Sequence, residues 1–223
     1  MARLSLFALV VGVGLMLSLH VLPPTDRISP VRRTLSEYAL GPNKWMFDLA
    51  VLAVAAGSAL LFGELVRRRA VRAWSAPVLL GAVWTVSLIV VVAFTKTNWA
   101  VGPSYGGLVH RYASVAGWVA LPLAVILVAG AVFPDAAGWR WAARGLGIVT
   151  LLWFGAILVG VVNMLAGGGP WWRFLPLGIV ERGMAASAVA AIAALVLGLV
   201  VGAARPYSAT NQTPTAGSVP SLR

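Results

Sequence analysis

Residues 45–66 read WMFDLAVLAVAAGSALLFGELV, and Arg67-Arg68-Arg69 follows at once. The stretch carries Asp48 near its start and Glu64 near its end, with no charge between them. A helix needs roughly 20 predominantly apolar residues to cross a hydrocarbon core about 30 Å thick. The strict alternation of a membrane β-strand is absent. This segment is therefore predicted to be a membrane-spanning helix. Five further stretches read the same way, at residues 4–22, 74–94, 108–132, 145–165 and 181–203. The expected fold is all-α: a polytopic membrane protein built as a six-transmembrane-helix bundle over residues 1–203. Residues 204–223 are rich in Ser, Thr, Pro and Asn without an apolar period, so a disordered tail is expected there.

Composition agrees. Only 10% of the 223 residues are charged and 60% are hydrophobic, against roughly 25% charged in soluble domains. There is no cysteine, which excludes disulfides, thiol catalysis and Cys-ligated metals. The formal net charge of +11 does not indicate nucleic acid. The basic residues are scattered through short connections rather than gathered on one domain, and their expected partners are anionic lipid headgroups. Residues 4–22 could pass for a signal peptide, but the apolar run is long and Leu19-His20-Val21 offers no small-residue cleavage site, so an uncleaved anchor is predicted. Trp45, Trp74, Trp99, Trp139, Trp141, Trp171 and Trp172 fall at the predicted span ends, as an interfacial belt requires.

Basic residues also bear on orientation. With the first residues inside the cell, nine of the 17 Arg and Lys residues fall on the inner side and eight on the outer. The dense cluster Arg67, Arg68, Arg69 and Arg72 lies in one short connection and favours that connection inside. The expectation is a multi-pass protein of the cell (plasma) membrane with both termini cytoplasmic.

The remaining polar residues gather at the opposite end. Both histidines and four of the six acids lie in the odd-numbered connections or beside them. The candidate outer-rim site comprises Arg33, Ser36, Glu37, Tyr38, Asp48, Lys96, His110, Arg111, Glu181 and Arg182, with Arg32 and Asn98 nearby. A carboxylate beside His110 would suit a proton relay or a ligand site. Mutual neutralisation of charges at helix ends is the plainer reading. Glu64 and Arg68 are four residues apart and are expected to form a surface-level ion pair. Gly102-Pro103-Ser104-Tyr105-Gly106 has the letters of a nucleophile elbow. It lacks the strand that such an elbow needs and is predicted to be a tight interhelical turn. His20 and His110 alone make poor haem or zinc sites, so neither a cofactor nor a metal is expected.

The last span carries Ala186, Ala190, Ala194, Gly198 and Gly202 at four-residue spacing. Small residues at that spacing let another helix approach closely. The stripe is either a seam for a partner helix or a packing face inside the bundle.

Four segments carry a resemblance. Arg33-Thr34-Leu35-Ser36-Glu37-Tyr38-Ala39-Leu40-Gly41 leads into Trp45-Met46-Phe47. Phe94-Thr95-Lys96-Thr97 follows the third span, Gly107-Leu108-Val109-His110 opens the fourth, and Gly178-Ile179-Val180-Glu181-Arg182 opens the sixth. In order and spacing the chain resembles the bacterial membrane family catalogued as domain of unknown function 998. The resemblance covers about residues 5–203. It implies a six-helix integral membrane fold, carries no established activity, and is sharpest at Ser36, Glu37, Tyr38, His110, Glu181 and Arg182. The chain departs from the family at Lys96 and Asn98, where an acidic residue is common, so a metal or proton role needing a carboxylate there is not implied.

Three functions remain open from sequence. The first is a non-enzymatic protein binding a polar or lipid ligand at the rim, where Arg33, Arg111 and Arg182 would meet an anion. The second is a membrane-embedded enzyme or transporter using His110 with Glu37 or Glu181. The third is a structural or regulatory subunit pairing through Ala190, Ala194, Gly198 and Gly202.

Overall fold

A computed structural model of the chain describes residues 1–202. The expected tail at 204–223 lies outside these residues. The described residues are helical, with no strand among them. The order is α1 (Ala2–Ser18), a short 3-10 turn (Thr25–Arg27), a 3-10 helix (Leu35–Leu40), α2 (Lys44–Arg67), α3 (Ala76–Ala93), α4 (Tyr105–Val132), α5 (Ala137–Leu165), a single turn α6 (Trp171–Phe174) and α7 (Leu177–Val200).

Five helices are long and apolar enough to cross a membrane: α2, α3, α4, α5 and α7. The expected first span is shorter than these. The predicted first span ran to residue 22, but α1 stops at Ser18 after 17 residues, about 25 Å at 1.5 Å per residue. The cause is the Pro23-Pro24 pair. A residue before proline is pushed out of the α region, and the chain tightens ahead of it. His20 N–H donates to the Leu17 carbonyl and Val21 N–H to that of Ser18, which is 3-10 bonding.

The other corrections concern helix starts. α4 begins at Tyr105 because the Ser104 hydroxyl caps it, accepting from Gly107 N–H at 3.0 Å. The letters of Gly102–Gly106 thus encode a helix start. α5 begins at Ala137 rather than 145, so most of a predicted polar loop is helix. Its arginines reach back over the end of α4. Arg140 Nη1 donates to the Phe133 and Pro134 carbonyls at 3.1 and 2.6 Å, and Arg144 Nε to the Ile126 carbonyl at 3.3 Å. Arg140 thereby satisfies the Phe133 carbonyl, which the end of α4 leaves free.

The helices form a ring in which α1 packs on α2, α2 on α3, α3 on α4, α4 on α5, α5 on α7, and α7 on α1. α7 leans inward and also touches α2 and α4. Two apolar clusters fill the interior. One lies toward the Arg67 end, around Leu61, Leu65, Val125, Phe133, Ile192 and Leu195. The other lies toward the first loop, around Leu19, Leu35, Tyr38, Met46 and Phe47. Small residues permit the closest approaches. A Cβ on Gly12 would sit 2.8 Å from the Ala50 carbonyl oxygen, and one on Gly198 2.4 Å from the Phe133 ring. Ala194 and Gly198 are buried within the chain, so the middle of the small-residue stripe serves this bundle, whereas Ala186 and Gly202 are exposed. The outer surface is apolar at Leu4, Phe7, Val86, Leu152 and Val159, all exposed, as a lipid-facing surface requires.

Candidate functional site

Helix direction alternates, so the first loop (residues 19–43), the α3–α4 connection and the start of α7 share one face. On it the first loop docks against the N-terminus of α7. Gly178 and Ile179 N–H both donate to the Val31 carbonyl, at 3.0 and 3.3 Å. Gly178 is required there: a Cβ would lie 2.3 Å from the Pro30 carbonyl oxygen and 2.6 Å from that of Arg33.

Arg182, one turn further along α7, ties the loop down. Its Nε donates to His20 Nε2 at 2.8 Å. Nη1 donates to the carbonyls of Pro30, Arg33 and Gly178 at 3.0, 2.8 and 3.0 Å, and Nη2 donates to the Tyr38 hydroxyl at 3.1 Å. The guanidinium also lies 5.8 Å from the centre of the Tyr38 ring. His20 Nδ1 lies 2.9 Å from the Met16 carbonyl, which can only accept. The proton therefore sits on Nδ1, and Nε2 is free to accept from Arg182. Tyr38 is fully buried and its ring meets that of His20 edge-on at 5.4 Å. Beside this node the Glu181 carboxylate accepts from Leu35 N–H and so caps the 3-10 helix that carries Tyr38.

A second group extends the same network. Lys96 Nζ donates to Thr34 Oγ1 at 2.9 Å and to Glu37 Oε2 at 2.6 Å. Arg33 Nη1 stands 3.6 Å from the other Glu37 oxygen. The hydroxyls of Thr34 and Ser36 are 3.1 Å apart. Thus Arg33, Ser36, Glu37, Tyr38, Lys96, Glu181 and Arg182 come together around residues 30–38.

Three predicted members stand elsewhere. Asp48 pairs with Lys44 on its own helix, at 2.6 and 2.7 Å. His110 is buried against the end of α3, its Nδ1 donating to the Phe94 and Val91 carbonyls at 2.8 and 3.2 Å. Arg111 lies over the Trp99 ring at 5.7 Å. Among the described residues no carboxylate orients His110: Glu37 is bound to Lys96 and Glu181 to Leu35. The relay of His110 with Glu37 or Glu181 is therefore not assembled. All three nitrogens of Arg182 donate within the chain. The residues missed from sequence are His20, weighed only as a haem or zinc ligand, together with Thr34 and Trp99. No local spacing links His20 to a partner 162 positions away.

Next to the network the face opens into two adjoining hollows. One, of about 430 Å³, is bordered by Leu40, Phe94, Thr95, Lys96, Asn98 and Ser104. The other, of about 410 Å³, is bordered by Thr97, Trp99, Ser104, Tyr105, Leu108 and Arg111. Both are open to the surface and mainly apolar. Their size falls within the range of small-ligand sites, roughly 300–1,000 Å³.

These features define a polytopic helical membrane protein whose first loop is bolted to its last helix, with open hollows alongside. The chain belongs to the family described as Protein of unknown function (DUF998), whose model matches residues 6–212. No curated protein and no solved structure matches it.

Proposed function

We propose that the chain is a non-enzymatic plasma-membrane protein that binds a polar or amphipathic ligand on its first-loop face, in the hollow bounded by Phe94, Thr95, Lys96 and Ser104. The observation that carries this reading is the contrast within that face. The charged cluster around Arg182 is spent on the fold, while the neighbouring hollow has apolar walls and a few polar groups. Lys96 uses two of its three ammonium donors, on Thr34 and Glu37. Such a mixture suits one polar group carried on an apolar body.

In this reading α1 completes a sixth crossing. Its 17 residues span about 25 Å, and the tightened turns at residues 19–22 add roughly 2 Å each. Arg3 reaches the interface by extending its stem. The short connection bearing Arg67, Arg68, Arg69 and Arg72 faces the cytoplasm, which places the start of α1 and the end of α7 there and turns the first-loop face outward.

The test is native mass spectrometry on the full chain, purified in mild detergent, beside Thr95→Trp. Among the described residues the Thr95 hydroxyl makes no hydrogen bond, so the indole fills the hollow without breaking one. We expect a co-purifying lipid or metabolite on the native chain and its loss from the variant at an unchanged melting temperature. Equal retention by both proteins would refute the site.

A further inference from the structure

The second hollow has a cation that the fold leaves unused. Arg111 is exposed and its guanidinium lies over the Trp99 ring, 5.7 Å from its centre. Among the described residues its guanidinium makes no hydrogen bond or ion pair. Stacking on an indole occupies the face of the guanidinium and leaves its N–H edge available. Arg111 is six residues beyond Tyr105, about 9 Å down α4, and its long stem carries the charge back up to Trp99 of the connecting loop.

The surroundings indicate what meets that edge. On α4, Gly107, His110 and Gly117 are buried, and Gly107 and His110 pack against the chain at the end of α3. Tyr105, Leu108, Tyr112 and Val115, spaced three or four apart, form an exposed stripe at 78%, 44%, 67% and 44% exposure. This is the membrane-facing side of the helix, and Arg111 borders it at the level of exposed Trp99 and Tyr105. The hollow of about 410 Å³ under Arg111 runs into the stripe through Leu108. A group bound here is held by a guanidinium edge at its head and an apolar helix face below.

We propose that Arg111 and Trp99 form a binding site for the phosphate of a membrane phospholipid, whose acyl chains lie along Leu108, Tyr112 and Val115. Arg offers a planar pair of donors that matches two phosphate oxygens. The apolar stripe distinguishes a lipid phosphate from a free one. The inference rests on the reading of this face as a ligand-binding rim and names the ligand class for its second hollow.

The experiment uses the full chain in nanodiscs containing phosphatidylglycerol, released into native mass spectrometry with and without millimolar inorganic phosphate. The native chain should retain phosphatidylglycerol. Arg111→Gln should lower retention about tenfold, the loss of one charge-assisted contact of roughly 1.4 kcal/mol or more. Arg111→Lys should recover part of it, and Trp99→Leu should weaken it without touching the charge. Melting temperatures should not move, since Arg111 makes no hydrogen bond within the fold. Equal retention by Arg111→Gln and the native chain would overturn the site. Displacement of the lipid by inorganic phosphate would overturn the lipid assignment. Retention lost in Thr95→Trp but kept in Arg111→Gln would sink this inference alone, whereas a native chain that carries no small molecule would sink both.

Discussion

The two ends of the bundle use a charged group in different ways. At the Arg67 end, Glu64 is only 1% exposed, yet its partners are Arg67 and Arg68 on the same helix. Arg67 donates through Nε and Nη2 at 2.7 and 2.8 Å, and Arg68 through Nε at 2.7 Å. At the first-loop end, Arg182 reaches partners from 144 to 162 positions away, Tyr38 and His20 among them. The first arrangement stabilises one helix terminus. The second joins the first loop, α1 and α7 into one unit. Charge at a membrane boundary can therefore be local trim or long-range fastening, and only the second kind holds the tertiary structure.

The largest way to break the contrast is Arg182→Ala. It leaves the buried Tyr38 hydroxyl and two loop carbonyls without their donor, and should cost about 3 kcal/mol, read as a lower melting temperature in detergent. Arg182→Lys should rescue little, because a point charge cannot reproduce the fork that meets these acceptors. At the other end, Glu64→Gln should cost less, about 1–2 kcal/mol, because the arginines it releases are half-exposed and can turn to water. Its effect on amide exchange should stay within residues 64–72. If Glu64→Gln proved the more damaging of the two, the distinction between the ends would fail.

The smallest test compares two helix ends of identical design. α2 and α5 both close with the paired bonds of a Schellman motif. Ala70 N–H donates to the Leu65 carbonyl and Arg69 N–H to that of Val66, while Gly168 N–H donates to Asn163 and Gly167 N–H to Met164. The left-handed position is Arg69 (φ 58°) in one and Gly167 (φ 91°) in the other. Arg69→Gly should stabilise by about 0.5 kcal/mol, and Gly167→Ala should destabilise by about 1 kcal/mol. Melting curves of the two variants should therefore shift in opposite directions.

How much was legible follows the same divide. The Glu64–Arg68 pair is readable because four-residue spacing on a helix fixes neighbours. Its burial is not, because a helix that is apolar all round has no stripe to show which side faces the core. The span positions follow from hydropathy, whereas the differences come from the prolines after α1, the Ser104 cap of α4 and the charged start of α5. Arg140 and Arg144 look like loop residues until they fold back onto the carbonyls of α4. The loop residues 33–38, with Glu181 and Arg182, were singled out by residue type and by resemblance, but their wiring depends on how three distant segments meet. Residue type therefore offers Arg182 as an anion contact and His20 as a poor metal ligand, and gives no sign that the two bond to each other.

The claim that Arg182 fastens the first loop to α7 is tested most directly by hydrogen exchange on the full chain and on Arg182→Ala, in the same detergent and well below either melting temperature. The account predicts slow exchange at Leu35 and its neighbours in the native chain, and exchange at least tenfold faster across residues 30–38 in the variant, with the amides around Glu64 unchanged. Unchanged protection across residues 30–38 in Arg182→Ala would contradict it.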